Sequence, residues 1–431
     1  MKQMKDSEIE WIGECPEHWE FIRGRYLFKQ RNTKGNLKNL ELLSPSQKFG
    51  VVPQTLLEKW TTQTVVKVKE DTNLETFKTI HVGDFCISLR SFQGGFEYSK
   101  YEGVVSSAYQ VFYPIVPIYD GYYKFLFKDK SFIEKMNSYT ISFRDGKNIA
   151  FEDFGNTYIP YPPIDEQKKI AEYLDKKCEE VDGLIADIQK QIDTLEQYKR
   201  STITEAVTKG LNSTAEMKNS NIQWVGKIPT HWVQHPLYYY FIEHKHKNFL
   251  GEENNLLSLS YGKIIRKDIN TDEGLLPDNF NSYNIIDKND IVLRLTDLQN
   301  DKRSLRTGIA SERGIITSAY LTLRSIKTIS AQYFYYLLHA YDLMKVLYSM
   351  GSGVRQGLNY EELSKMMLIE PPIDEQKSIA EYLDKKCAEI DACIEEKKQQ
   401  IAVLETYKKS IIFEYVTGKK EIDERSIYKN L

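Results

Sequence analysis

A run of side chains within residues 294–313 carries the densest recognition chemistry in this sequence: Arg294, Thr296, Asp297, Gln299, Lys302, Arg303, Arg306 and Arg313. Arginine and glutamine can form paired hydrogen bonds with guanine and adenine edges, and lysine neutralises phosphate. An earlier stretch holds Arg90, Ser91, Gln93 and Lys100. Lys48, Tyr261, Lys263 and Arg266, with the glycine-flanked segments containing Arg144 and Lys147 and containing Arg355 and Gln356, complete the candidates for contact with a nucleic-acid duplex. A solvated charged loop would have a similar composition. Recognition is favoured because the two main stretches lie between shared sequence anchors and differ in content where the anchors agree.

Catalytic signatures are missing. There is no GxGxxG and no GxxxxGK[ST], and Gly351, Gly353 and Gly357 have the wrong spacing for either. The tetrads Tyr161-Pro162-Pro163-Ile164 and Glu370-Pro371-Pro372-Ile373 lack both the Asn or Asp and the aromatic residue of an amino-methyltransferase loop. No [D/E]xK triplet follows Pro277-Asp278 within about 30 residues, which argues against a metal-dependent nuclease. His231, His235, His244 and His246 are ligand types that zinc accepts, but only His231 has a counterpart elsewhere, His18, so no metal is expected.

These loops must be held by something, and the sequence shows a frame that occurs twice. Residues 162–178 read PPIDEQKKIAEYLDKKC and residues 371–387 read PPIDEQKSIAEYLDKKC, identical at 16 of 17 positions with an offset of 209. A proline pair followed by Asp-Glu suits a first helical turn, where proline's missing N–H costs nothing and acids meet the positive end of the dipole. Beyond it, Leu174, Cys178, Val181, Ile185, Ile188, Ile192 and Leu195 form a heptad seam, repeated by Leu383, Cys387, Ile390, Ile394, Ile401 and Leu404. Lys397 replaces the apolar residue at one seam position. The spacing predicts two helices on the order of 60 Å long. Each ends at a glycine stop, near Gly210 and Gly418.

The repeat reaches further. Glu10-Trp11-Ile12-Gly13, Pro16, His18 and Trp19 are echoed by Gln223-Trp224-Val225-Gly226, Pro229, His231 and Trp232. Between motif and helix the likeness thins to Leu42-Leu43-Ser44 with Leu256-Leu257-Ser258, Gly83-Asp84 with Asn289-Asp290, Ser107-Ala108-Tyr109 with Ser318-Ala319-Tyr320, and Phe151 to Phe154 with Tyr360 to Leu363. Runs 65–68, 85–89, 104–112, 291–295 and 315–323 read as strands; 122–136 and 331–350 have helical periodicity. Each copy is therefore expected to be a mixed α and β domain. The divisions are 1–160, a helix over 161–210, a polar linker 211–220, a second domain 221–369, a helix over 370–418 and a charged tail 419–431.

Composition sets wider limits. The formal net charge of -3 does not announce a polyanion binder, so charge has to be read locally. The five cysteines form no CxxC pair and read as reduced, buried thiols. MKQMKDSEIEW lacks the apolar core of a signal peptide and no apolar run approaches a membrane span, which predicts a cytoplasmic protein.

The combination of Trp-[IV]-Gly-x2-Pro-x-His-Trp, a variable domain, PPIDEQKxIAEYLDKK and a heptad helix, all present twice, resembles the DNA specificity subunit of type I restriction-modification enzymes across essentially the whole chain. The resemblance implies an α+β fold with two target-recognition domains separated by two long antiparallel coiled-coil helices, an internal duplication with pseudo-two-fold symmetry. It implies a non-catalytic subunit in which each domain reads half of a bipartite site. The helices would set the spacer and dock two modification (methyltransferase) subunits. Glu166, Gln167, Ile170 and Leu174, with Glu375, Gln376, Ile379 and Leu383, match the family's helix motif and are expected to pair helices or dock partners. S-adenosylmethionine, and ATP with magnesium, are expected in the modification and restriction subunits rather than in this chain. The competing reading is a duplicated coiled-coil scaffold whose variable domains bind proteins.

Overall fold

The two long helices begin where the proline pairs place them, spanning Ile164–Lys209 and Ile373–Val416, 46 and 44 residues. At 1.5 Å per residue each is roughly 70 Å long, somewhat more than expected. The opening motif is explained by its hydrogen bonds. Glu166 accepts from Trp19 Nε1 at 3.0 Å and pairs with His18 Nε2 at 2.8 Å; Glu375 does the same with Trp232 at 3.0 Å and His231 at 2.6 Å. Gln167, fully buried, donates to the Pro162 carbonyl and accepts from Tyr119 N–H; Gln376 donates to Pro371 and accepts from Ser330 N–H. Buried amides and indoles need such partners.

A computed structural model of the protein describes residues 3–35, 40–61, 76–88, 95–139, 149–269, 279–298, 305–350 and 357–422. Packing groups the chain into two units, one of residues 1–188 with 399–431 and one of residues 189–398. Each unit thus contains part of both long helices.

In the first unit Tyr173 packs on Tyr415 with ring centroids 4.6 Å apart, and Lys408 Nζ lies 2.6 Å from Asp182 Oδ2. In the second, Lys199 pairs with Asp391 at 2.6 Å and Lys397 donates to Gln191. Rising numbers on one helix meet falling numbers on the other, so within each unit the segments run antiparallel. Leu174, Cys178, Val181, Ile192, Leu383, Cys387, Ile390 and Ile394 are buried as the heptads require. Ile185, Ile188, Leu195, Ile401 and Leu404 are only half-buried, and so is Lys397. Ile170 and Leu174 face the first unit's core, Ile379 and Leu383 the second's, which gives these four a packing role rather than an exposed one. Each unit also receives the C-terminal end of the other helix. Tyr122 Oη donates to the Val416 carbonyl in the first unit and Tyr333 Oη to the Val207 carbonyl in the second.

The mixed domains repeat a four-stranded sheet in the same order. The first unit has an antiparallel sheet in the order Phe96–Tyr98, Phe85–Ile87, Gln110–Pro114, Phe28–Arg31, and the second has Thr307–Ile309, Ile291–Leu293, Leu321–Ser325, Phe241–Glu243. Hairpins Leu43–Ser46/Gly50–Pro53 and Leu257–Ser260/Lys263–Arg266 also correspond. So do the pairs Glu20–Arg23/Tyr158–Tyr161 and Val233–Pro236/Met367–Glu370.

Several expected elements divide on inspection. The helix expected over 122–136 is two, Asp120–Leu126 and Lys130–Ser138, because Asp129 accepts from Ser131 and Phe132 N–H and caps the second. Runs 104–112 and 315–323 each contain a turn between two strands, Gly103–Val105 and Gln110–Pro114, Gly314–Ile316 and Leu321–Ser325. The helix begun at Ala331 stops at Leu343, and Lys345 turns left-handed at φ 62° before a short 3-10 turn. Part of the expected linker, Met217–Asn219, pairs with Lys227–Pro229. The strand expected over 65–68 lies outside the described residues. The five cysteines are unbridged; Cys393 is exposed rather than buried. Among the described residues no helix is long and apolar enough to cross a membrane.

Glu166→Ala is expected to destabilise the first unit by about 1–3 kcal/mol, because it leaves the buried Trp19 indole N–H without an acceptor. Denaturant unfolding should show most of that loss disappearing when Glu166→Ala is measured in a Trp19→Phe background, where the indole N–H is absent.

Candidate nucleic-acid interface

The two candidate loops occupy the same place in the two sheets. Residues 88–95 join Phe85–Ile87 to Phe96–Tyr98, and residues 294–306 join Ile291–Leu293 to Thr307–Ile309. The first is closed by Ser88 N–H donating to the Gly95 carbonyl, the second by Arg294 N–H donating to the Arg306 carbonyl. The second unit therefore carries the longer insertion on an unchanged hairpin. Arg90, Ser91 and Gln93, and likewise Gln299, Lys302 and Arg303, lie outside the described residues.

The other candidate segments end beside these hairpins. Leu358 N–H donates to the Leu295 carbonyl at 3.0 Å, which brings the end of the segment containing Arg355 and Gln356 to the start of the long loop. In the first unit Gln110, opposite Ile87, donates to the Ile149 carbonyl and accepts from Phe151 N–H, placing the end of the Arg144 and Lys147 segment near the shorter loop. Arg144, Lys147, Arg355 and Gln356 themselves lie outside the described residues.

Arg306 is placed differently from a ligand-facing residue. Its side chain is fully buried, with Nη1 donating to the Arg294 and Thr296 carbonyls, Nη2 to the Asp297 carbonyl and Nε to Tyr348 Oη. Its own N–H donates to Asp342. A buried guanidinium needs most of its donors satisfied, and here main-chain carbonyls do this. Arg306 thus shapes the base of the loop from inside, leaving Thr296 and Asp297 exposed and Arg294 half-buried. Asp297 holds φ 58°.

The hairpin tips carry the remaining candidates. Lys48 is exposed and lies over the Phe49 ring, which faces Trp60 at 5.0 Å. Tyr261 is 82% exposed, and Lys263 lies 3.5 Å from Asp391. Arg266 forms a forked pair with Glu312, so its charge is already partly answered. Lys100 is exposed at the turn after Phe96–Tyr98.

Residues that composition alone passes over support these loops. Asp84 and Asp290, the recurring acids of Gly83-Asp84 and Asn289-Asp290, are both buried. Asp84 accepts from His81 N–H and a fork from Arg31; Asp290 accepts from Asp287 N–H and a fork from Arg324. The acid is shared while the arginine comes from different strands of the sheet, Phe28–Arg31 in one unit and Leu321–Ser325 in the other. The repeated Asp was the available signal; its partners required the fold. His244, Asp287 and Asp290 present ligand atoms within 4.8 Å of one another. Arg324 and Arg313 already neutralise both carboxylates, occupying the electrostatic role of a cation there. Of the other histidines weighed as ligands, His231 is used on Glu375 and His235 is stacked on Tyr239, while His246 lies beside His244 with ring centroids 6.1 Å apart.

Two buried titratable groups lie near the loops. Glu97, in the strand that leaves the shorter loop, pairs with Lys128 at 2.5 Å, yet burial pushes its carboxyl up to about 7. His339 stacks on Tyr335 beneath the Tyr261 hairpin with Nδ1 buried and unpartnered. Burial, then Lys199 and Arg200, lowers its imidazole to about 4.

The family model for the type I restriction modification DNA specificity domain matches twice, over residues 16–194 and 218–406. The putative type I restriction enzyme MjaX specificity subunit of Methanocaldococcus jannaschii is 28% identical over 267 residues, 61% of this chain and 59% of that protein. The MjaVIII specificity subunit of the same organism is 29% identical over 290 residues, 62% and 63%. The alignments thus span about three fifths of each relative's length. Among solved structures, a chain from work on complex assembly and conformational transition of the type I R-M system superposes with TM-score 0.68 at 14% identity, over 94% of this chain and 99% of that one. The HsdS subunit of Thermoanaerobacter tengcongensis superposes with TM-score 0.50 at 14% identity, over 96% and 100%.

The two buried groups should give the units opposite pH responses. Folding favours protonated Glu97, so that contribution is complete below about 4.5 and is lost as pH rises toward about 7. Folding favours neutral His339, so that contribution is complete above about 6.5 and is lost as pH falls toward about 4. Each is worth up to about 3 kcal/mol. Hydrogen exchange resolved to each unit at pH 5 and pH 7 should show protection moving in opposite directions, with Glu97→Gln flattening the first and His339→Leu the second.

Proposed function

Since the chain belongs to the type I restriction modification DNA specificity family, both of its repeats being matched by the family model, we propose that it reads duplex DNA as a two-part site and carries out no chemistry itself. Each unit reads one half, through the loops joined to the same two strands of its sheet. The paired helices set the unread spacer and dock two modification subunits. Those partners would bind S-adenosylmethionine and methylate adenine, and a restriction subunit would use ATP with magnesium.

One observation carries this reading. The two units share strand order, hairpins and helix-start clamps, yet differ in length and side chains at the loop between Phe85–Ile87 and Phe96–Tyr98 and at its equivalent in the second unit. A protein that must present two independent sequence readers needs an unchanged frame with exchangeable contacts. The MjaX and MjaVIII relatives are both named as type I restriction enzyme specificity subunits, which supports the same assignment.

The candidates divide by what surrounds them. Arg294, Thr296, Asp297, Gln299, Lys302 and Arg303 would make the second unit's contacts, and Arg90, Ser91, Gln93 and Lys100 the first's. Lys48, Tyr261 and Lys263 would act from the hairpin tips, and Arg144, Lys147, Arg355 and Gln356 from the segments that end beside the loops. Arg266 would contact phosphate only in exchange for Glu312.

Methylome sequencing of cells that express this chain with its modification subunit, against cells with the modification subunit alone, tests the proposal. The expected result is a new bipartite methyl-adenine motif; complex assembly without any new motif favours a protein-binding scaffold. Arg294→Ala should relax one half of the motif, by roughly 1–3 kcal/mol for a lost bidentate contact, and leave the other half unchanged. Arg306→Ala should instead unfold the loop's base and lower thermal stability of the second unit, since it removes the buried guanidinium that holds the Arg294, Thr296 and Asp297 carbonyls together.

A further inference from the structure

The turn between Leu257–Ser260 and Lys263–Arg266 has two residues, Tyr261 at φ 46° and Gly262 at φ 79°. Two left-handed residues in a two-residue connection are the geometry that matches strand twist, and its first position normally holds Asn, Asp or Gly. A bulky aromatic there is strained and persists when surrounding structure enforces it. The enforcement is visible at the neighbouring glycine. Tyr335 Oη donates to the Gly262 carbonyl at 3.1 Å, and a side chain at Gly262 would meet Leu305 at 3.2 Å. Gly308 lies against Leu259 and Ile264 just as tightly, so the whole hairpin is seated.

The enforced aromatic is not spent on the fold, since Tyr261 remains 82% exposed. Lys263 is beside it, 3.5 Å from Asp391, and Leu305 packs at its neck. The first unit handles its corresponding tip differently, with Phe49 turned onto Trp60. A projecting ring held in a strained, fixed turn beside a lysine fits a duplex better than an apolar protein surface. Aromatic and apolar side chains lodge between base steps, while neighbouring cations hold the phosphates.

We propose that Tyr261 is a wedge residue that packs against a base step in the half-site read by the second unit. The proposal rests on the DNA-reading assignment above. Because the first unit's tip aromatic is folded back, the distortion falls on one half-site only.

The full chain co-purified with its modification subunit is the material, and the probe is a duplex bearing the methylome-defined motif with 2-aminopurine placed in turn along each half. Binding by the unmodified complex should raise fluorescence at one step of the second unit's half-site. Tyr261→Ala should bind about tenfold more weakly and lose that rise, while Tyr261→Phe keeps both. Tyr261→Asn should also bind weakly, yet raise Tm by about 2 °C because asparagine suits the turn.

Unchanged binding and fluorescence in Tyr261→Ala, or a lower Tm in Tyr261→Asn, overturns the wedge while leaving the DNA-reading assignment intact. Weaker binding that tracks loss of the modification subunit assigns the tip to a protein contact and also overturns it. Failure of the unmodified complex to select the motif overturns both.

Discussion

The structure depends on satisfying a buried indole. Trp19 and Trp232 are almost wholly enclosed, and each carries one N–H that must find an acceptor. In both units the acceptor is a glutamate in the first turn of a long helix, where the helix dipole also favours a carboxylate. The next residue, a buried glutamine, is held between the chain that enters the helix and the main chain of a neighbouring segment. These few bonds fix the angle at which each helix leaves its domain. Close packing of the glycine stops adds the second constraint: a Cβ on Gly418 would lie 2.4 Å from Pro16, and one on Gly210 would lie 3.2 Å from Trp232. Each copy of the repeated motif is therefore a clamp on one helix start and one helix end.

With the clamp in place, the sheets can vary where they do not touch it. The strand order is the same in both units, and the buried aspartates Asp84 and Asp290 sit at the same point in it. What differs is how the aspartate is answered and how long the adjoining loop is. Arg306 illustrates the cost of the longer loop: an entire buried guanidinium is committed to three loop carbonyls and a tyrosine hydroxyl. The shorter loop of the first unit is closed at its base by Ser88 N–H donating to the Gly95 carbonyl, as Arg294 and Arg306 close the longer one.

Electrostatics follow the same division between frame and contact. Arg266, Arg313 and Arg324 of the second unit are each paired with Glu or Asp, so the number of basic residues overstates the charge available to a polyanion. Specificity in such a protein is better served by a few placed donors than by a broad positive field, because phosphate attraction is indifferent to sequence. The small formal net charge of -3 fits that arrangement.

The duplication, the helix starts, the heptad seam and the glycine stops were legible in the sequence because each is a local, periodic signal: proline, acid and glycine act on their own turn, and apolar spacing reports a helix face. The pairing of loops with hairpins was partly legible through recurring anchors such as Gly83-Asp84 and Asn289-Asp290. Breaks inside apparent elements were not, because Asp129 starts a second helix through its side-chain bonds, and Lys345 turns the chain left-handed. Nor could composition separate Arg306, buried and committed to carbonyls, from the exposed Lys48 that it resembles in charge. Residue type sets what a side chain can donate. Only the tertiary structure decides whether those donors are consumed within the fold or left facing solvent, because that depends on which carbonyls and carboxylates distant segments bring within reach.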